Sequence, residues 1–227
     1  MTSRACFVGL LAGVVLLVGA APAASDPPRS VSSYYLGRGD PRLCPSPICG
    51  GIWVKLVNRD RTTCGDGIAR PECYAASVDL RLMRSTEEAR GRLSQLIGEG
   101  RALARGKLVR GRVQGFPELD VLVVSEVWRA SSSPARPRGV FHRLRDKGVR
   151  CVTIPCFSTH AARLNSGRHV DVTDIDLART GAPRMEQVEA RIRGDFTGAG
   201  VIASGRVIRM GKGRTLVATQ FYERAPG

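Results

Sequence analysis

A spacing of 107 residues constrains this chain more than any single motif in it. The stretch Cys44-Pro-Ser-Pro-Ile-Cys49-Gly-Gly-Ile-Trp-Val-Lys-Leu-Val-Asn58 returns as Cys151-Val-Thr-Ile-Pro-Cys156-Phe-Ser-Thr-His-Ala-Ala-Arg-Leu-Asn165. Cys151, Cys156 and Asn165 each stand 107 residues after Cys44, Cys49 and Asn58. In both places a small cysteine loop feeds a strand-like run. Later matches fall at shorter offsets. Val78-Asp-Leu80 corresponds to Ile175-Asp-Leu177 at 97, while Gly111-Arg-Val113 and Leu122-Val123 correspond to Gly205-Arg-Val207 and Leu216-Val217 at 94. Trp128 and Tyr222 close the series, also at 94. The chain reads as two copies of one module, 33–130 and 140–227. Ser131-Ser-Ser-Pro-Ala-Arg-Pro137 lies inside a linker, 131–139.

The fall from 107 to 97 means that copy one has gained ten residues before its third strand. Cys64 to Cys73 is ten residues long. That stretch is the expected insertion, with a turn at Gly65-Asp-Gly67. The spacing also organises the cysteines. Matching Cys44 to Cys151 and Cys49 to Cys156 makes Cys44–Cys49 and Cys151–Cys156 the economical bonds, and leaves Cys64 for Cys73. Zinc is the weaker account, because its cysteines come as two close pairs that converge, in reducing compartments.

Arg4, the apolar run 7–18 and Ala21-Pro-Ala23 read as a signal peptide, 1–23. The apolar run is short for a membrane span. No transmembrane segment is expected after cleavage, and the protein is expected to be secreted or periplasmic, where disulfides persist. Residues 24–32 are a polar, proline-containing lead-in. The formal net charge is +15, carried mostly by Arg and spread without a block of like charge. A solvated basic surface accounts for that pattern. A polyanion partner would need clustered cations and stacking aromatics, and aromatics are only 5% of the chain.

Alternation places strands at 33–38 and 51–57, the second with Ile52, Val54 and Leu56 on one side and Trp53 and Lys55 on the other. Residues 75–82 alternate again, Ala76, Val78, Leu80 and Leu82 against Ser77, Asp79 and Arg81. Ser85-Thr-Glu-Glu88 starts a helix with a Leu93, Leu96 and Ile97 stripe, interrupted by Gly91 and stopped at 98–100. Strands follow at 107–113 and 119–128. Copy two repeats the order: strands 140–145, 157–164 and 169–178 with a slip near Thr173, a helix 185–192, and strands 201–209 and 214–222. The fold class is mainly β, of the α+β kind. Strand, strand, strand, helix, strand, strand is the order of an OB-fold, a five-stranded Greek-key barrel, so two tandem OB-like modules are expected. An open antiparallel sheet with a helix in each module is the alternative. Val54, Leu80 and Leu122 should hold the core places of Ala161, Leu177 and Leu216. Smaller residues, Thr159 and Ala161, should leave copy two the less stable half unless it leans on copy one.

No residue is assigned a catalytic, cofactor-binding or metal role. Gly-x-Ser-x-Gly and His-Glu-x-x-His are lacking. The histidines are His142, His160 and His169. Asp171, Asp174 and Asp176 do not have the spacing of a calcium loop, and Gly211-Lys-Gly-Arg-Thr215 reads as a hairpin turn. Arg38-Gly-Asp40 and Arg193-Gly-Asp195 spell an adhesion tripeptide, which requires exposed loop tips. The candidate ligand face is Trp53 with Lys55, Asp79 and Arg81, on the strands with which OB-folds hold ligands. The competing account packs Trp53 beneath the Cys44–Cys49 loop or between the copies.

Arg38-Gly-Asp-Pro-Arg42, Cys44-Pro-Ser-Pro-Ile-Cys-Gly-Gly51, Trp53-Val-Lys-Leu-Val-Asn58 and Glu72-Cys-Tyr74 give copy one, about 34–128, a further meaning. It resembles an uncharacterised family of secreted, cysteine-containing bacterial proteins, a domain of unknown function. Copy two departs from that pattern, without the Gly-Gly and the second cysteine pair. The resemblance implies export and disulfides, and supplies no site residues. The expected function is that of an exported, non-catalytic binding or structural protein with a macromolecular or envelope partner. A polyanion binder, for nucleic acid or acidic glycan, is the first rival. A hydrolytic enzyme with a histidine beside a buried carboxylate is the second.

Overall fold

Two strands and a stapled loop open the fold. The computed structural model describes residues 32–196 and 199–226, so the expected signal peptide and nearly all of the expected lead-in lie outside the described residues. Strands β1 (Ser33–Gly39) and β2 (Ile52–Leu56) pair antiparallel around the Cys44–Cys49 loop. Ile52 and Val54 turn inward and Lys55 outward, as alternation requires. A two-stranded ribbon follows, β3 (Thr62–Thr63) leading into the insertion and β4 (Ala69–Arg70) within it, and Cys64–Cys73 closes the loop. Then follow β5 (Cys73–Ala75), β6 (Ser77–Asp79), α1 (Glu87–Gly98), β7 (Ala102–Val113) and β8 (Phe116–Ala130). Thr86 caps α1, its Oγ1 accepting from Ala89 N. Leu93 and Ile97 turn the helix onto the core. Ile97 seats against β1 because Gly37 has no Cβ, which would stand 2.6 Å from Ile97 O.

The pairings return on themselves. β2 pairs with β5, β1 with β7 and β7 with β8, all antiparallel, and β6 runs parallel to β8. One core cluster fills this ring, with Val54, Ala75, Leu122 and Val124 fully buried. Residues 75–82 are not one alternating strand, as the sequence suggests. The chain breaks at Ala76, whose N–H bonds Asp120 O, because it leaves β2 there to join β8. The phase slips, and Leu82 ends exposed.

The second half has the same order: β9 (Val140–Asp146), β10 (Thr159–Arg163), β11 (His169–Val172), β12 (Asp174–Asp176), a 3-10 turn at Ala178–Thr180, α2 (Arg184–Phe196), β13 (Val201–Met210) and β14 (Gly213–Arg224). Cys151–Cys156 staples the loop between β9 and β10. Tyr35↔Leu56 through Gly39↔Ile52 recur, 107 residues on, as His142↔Arg163 through Asp146↔Thr159. Val78↔Leu122 recurs as Ile175↔Leu216. Thr173 N bonds Arg214 O as Ala76 N bonds Asp120 O. Val54 and Ala161, Leu80 and Leu177, and Leu122 and Leu216 are all buried. One sequence match is corrected. Gly205 faces Val140 as Gly106 faces Ser33, so the partner of Gly205 is Gly106 and not Gly111. The β7–β8 hairpin is the longer one, and this moves the offset of β7 away from that of β8.

The halves form one continuous sheet, not two separate ones. β14 pairs antiparallel with β8, Tyr222↔Ala130, Glu223↔Arg129 and Arg224↔Trp128. A shared core lies between them. It contains Tyr34 and Phe141, Val57 and Leu164, Leu103 and Ile202, Trp128 and Tyr222. These are corresponding residues of the two halves. Two asparagines complete the contact. Asn58 accepts from Phe141 N at 2.9 Å and donates to Phe141 O and Leu164 O at 2.8 and 3.0 Å. Asn165 accepts from Tyr34 N at 2.8 Å and donates to Tyr34 O and Val57 O at 2.8 and 3.0 Å. Each contact is reciprocated, the mark of an approximate two-fold axis. Segment 131–139 is packed down: Ser131 and Ser133 are buried, and Gln220 Nε2 donates to Ser133 O and Ala135 O.

Candidate functional site

Trp53 points out of β2 and meets Tyr74 of β5 across the strand pair, ring centroids 5.5 Å apart. Arg42, reaching back from the cysteine loop, lies 5.3 Å over Trp53 and 4.7 Å over Tyr74, and Arg38 of β1 lies 5.5 Å from Trp53. Asp40 locks this stack. Its carboxylate, with no exposed surface, receives Arg42 Nη2 at 2.8 Å and Trp53 Nε1 at 3.3 Å. Those hydrogen bonds, Arg42 first, hold the Asp40 carboxyl well below the usual carboxylate range. Arg38 is bound by Glu72 at 2.7 Å. Arg42 Nη2 also donates to Ile48 O, and the Tyr74 hydroxyl donates to Pro47 O at 2.9 Å while accepting from Gly51 N. The stapled loop thus sits on the aromatic pair, and the guanidinium groups are neutralised by the protein's own acids.

The other members of the predicted face are placed apart from this stack. Lys55 is exposed further along β2. Asp79 and Arg81 pair with each other at 2.6 Å, beside β8 and not β2. They border an open groove of about 500 Å³ with Glu87, Arg90 and Arg112. Arg38, Asp40, Arg42 and Tyr74, absent from the predicted face, surround Trp53 instead. They belong to the quoted motifs, but alternation along one strand does not show what the next strand and loop contribute.

The corresponding face of the second half has different chemistry. His160 stands in register where Trp53 does, Asp171 where Tyr74 does, and His169 where Glu72 would continue β5. His160 Nδ1 lies 3.2 Å from Asp171 Oδ1, Lys147 Nζ lies 2.5 Å from Asp171 Oδ2, and the His160 and His169 rings are 4.7 Å apart. Lys147, then His160, lowers the Asp171 pKa. The carboxylate beside the histidine is open to solvent, not buried. Among the described residues no group of three His, Cys, Asp or Glu converges to hold a metal ion. Asp176 Oδ1 accepts from Ala178 N just before the 3-10 turn, and Asp174 lies 3.9 Å from Arg191. Gly211 turns the β13–β14 hairpin at φ +57°.

Neither adhesion tripeptide is at a loop tip. Arg38 lies within β1 and the Asp40 carboxylate is covered, while Arg193 and Gly194 belong to α2. The structure pairs Cys44 with Cys49, Cys64 with Cys73 and Cys151 with Cys156, at Cα separations of 5.3, 5.5 and 5.6 Å. No helix among the described residues is long and apolar enough to cross a membrane.

These features define a mainly β protein with a large antiparallel sheet, two short helices and disulfide-closed loops. The chain belongs to the family described as Domain of unknown function (DUF6748), whose model matches residues 33–227. The match covers both halves, which corrects the narrower resemblance of copy one alone. No curated protein and no solved structure matches the chain.

Proposed function

We propose that this is an exported, non-catalytic binding or structural protein built from two OB-like modules joined through one continuous sheet. The observation that carries the reading is the recurrence of strand register. In each half the first strand pairs with the second and fourth, the fifth pairs with the fourth, and the third runs parallel to the fifth, with a helix between third and fourth. This is the connectivity of a small Greek-key barrel, whose second and third strands offer a binding face. Three disulfides and the leader sequence support a secreted or periplasmic location. The partner is a macromolecule or envelope component, met through the Trp53 side of the first module, Lys55 included.

A polyanion partner is the second reading, favoured by the formal charge of +15. One experiment tests both. The full chain is expressed with its leader in a bacterial host, recovered from periplasm or medium, and tested for retention on isolated envelopes at rising salt. The first reading expects retention that persists in salt and falls with Trp53→Ala. A steep loss with salt supports the polyanion reading instead. Retention in the cytoplasm with an intact N-terminus, or hydrolytic turnover abolished by His160→Ala, overturns the proposal.

A further inference from the structure

The insertion covers one end of the first barrel. Tyr35, Leu56, Cys73 and Leu108 face inward at the end of the β1–β2 hairpin away from α1. Cys64 of the insertion is buried in the same cluster. Thr62 is fully buried as well, its Oγ1 accepting from Leu56 N at 2.9 Å. Gly65 N donates to Asp120 Oδ2 at 2.8 Å and ties the loop to β8. A disulfide-closed loop thus stops the mouth of this barrel.

The second barrel has no such loop. Between β10 and β11 the chain turns back tightly, Arg163 N bonding Arg168 O. The residues in register with Tyr35, Leu56, Cys73 and Leu108 are His142, Arg163, Val170 and Val207. They line an open groove of about 420 Å³, with Arg168, His169 and Arg206 also on its wall and no acidic residue in it. Two apolar residues of the covered mouth, Tyr35 and Leu56, have become a histidine and an arginine in the open one. Arg163 Nε is shielded from solvent and has no hydrogen-bond partner. An unsatisfied buried donor is costly, and cations gathered without an acid repel one another. An oxyanion in the groove relieves the repulsion, since guanidinium groups grip carboxylates and phosphates through paired hydrogen bonds. Val140, Val170 and Val207 give the same groove apolar walls.

We propose that the mouth of the second barrel binds a small amphiphilic anion, an apolar body with a carboxylate or phosphate head, the head on Arg163 and its neighbouring cations. The first barrel is closed to such a ligand by its own insertion. This site is independent of the Trp53 face and of where the protein is located.

Titration of the oxidised full chain with 1-anilinonaphthalene-8-sulfonate, an aromatic sulfonate, is expected to give a saturable fluorescence rise. Octanoate and octyl phosphate should displace the probe, the tighter of the two identifying the head group. At equal concentration, 1-octanol, which lacks the charge, and inorganic phosphate, which lacks the chain, should not. Arg163→Leu, which restores the residue of the covered mouth, combined with Arg206→Ser should weaken binding at least about tenfold, the loss of one charge-assisted contact. Arg209→Ser, elsewhere on β13, should leave it unchanged. In the unaltered protein, octanoate should shift the His142 imidazole resonances, a readout that does not depend on any variant folding. Equal displacement by octanol, unchanged affinity in the double variant, or silent His142 resonances at saturation overturns the proposal.

Discussion

Replacing Asn58 tests the contact between the halves. Its side chain makes three hydrogen bonds to the backbone of the other half, at 2.8–3.0 Å. At about 0.5–1 kcal/mol net for each of the three partly exposed bonds, their loss costs about 1.5–3 kcal/mol. Asn58 also sits at φ 60°, in the left-handed region that Asn tolerates and Ala does not. That adds about 1 kcal/mol in Asn58→Ala but not in Asn58→Gly. Asn58→Ala should therefore lose about 2.5–4 kcal/mol, and Asn58→Gly about 1 kcal/mol less despite its more flexible unfolded chain. Asn165 has φ 54° and the matching three bonds, so its Ala variant should lose the same within about 1 kcal/mol. Urea unfolding of the oxidised full chain, followed by tryptophan fluorescence and by far-UV dichroism, gives all the values. If Asn58→Ala loses less than about 1 kcal/mol, the clasp does not hold the halves together. If the Gly variant is the less stable of the pair, the backbone argument fails.

Asp40→Asn should flatten the acid limb of the stability profile. A carboxyl whose folded pKa is lowered contributes stability that is complete above the unfolded value of about 4 and is lost as pH falls through the folded one. Urea midpoints between neutral pH and strong acid should drop less steeply in the variant, and an unchanged slope sinks the argument. Replacing Cys64 and Cys73 together with Ser should cost about 2–3 kcal/mol, because the closed loop is short. It should also admit the anilinonaphthalene probe to the first barrel; tight exclusion in that variant denies the insertion its covering role. Thr159→Ile copies Ile52 into a partly open pocket of about 180 Å³ that Thr159 lines with Leu144, Leu177 and Ala190 and also with Asp146 and Asp174. It should stabilise by about 0.5–1 kcal/mol. In the unaltered protein, amides of β10 should exchange faster than those of β2 in hydrogen-exchange measurements, and the reverse order refutes the weaker packing inferred for the second half.

The sequence by itself determined strands such as β2, because burying one side of a pleated segment demands a two-residue alternation, and Ile52, Val54 and Lys55 obey it. It also located the insertion, since a gain of ten residues must displace every later match. The pairing of cysteines was legible for the same reason: their spacing is a property of the chain. Asn58 and Asn165 stood at the end of both copies of the motif, yet nothing along the chain shows that each asparagine bonds the other half. Tertiary structure decided that, as it decided what covers an outward-facing residue. Alternation excluded Trp53 from the core but could not supply Arg42 and Asp40 from the loop above it. It could not place Ala76 at a crossing from one neighbour strand to another, nor assign Gly205 to Gly106. Hairpin length sets that register, and hairpin length is fixed only when the strands pair. The open mouth of the second barrel has the same origin. Arg163 and His142 are ordinary polar residues in sequence, and line one groove only where strand pairing brings them together without the loop that covers their counterparts.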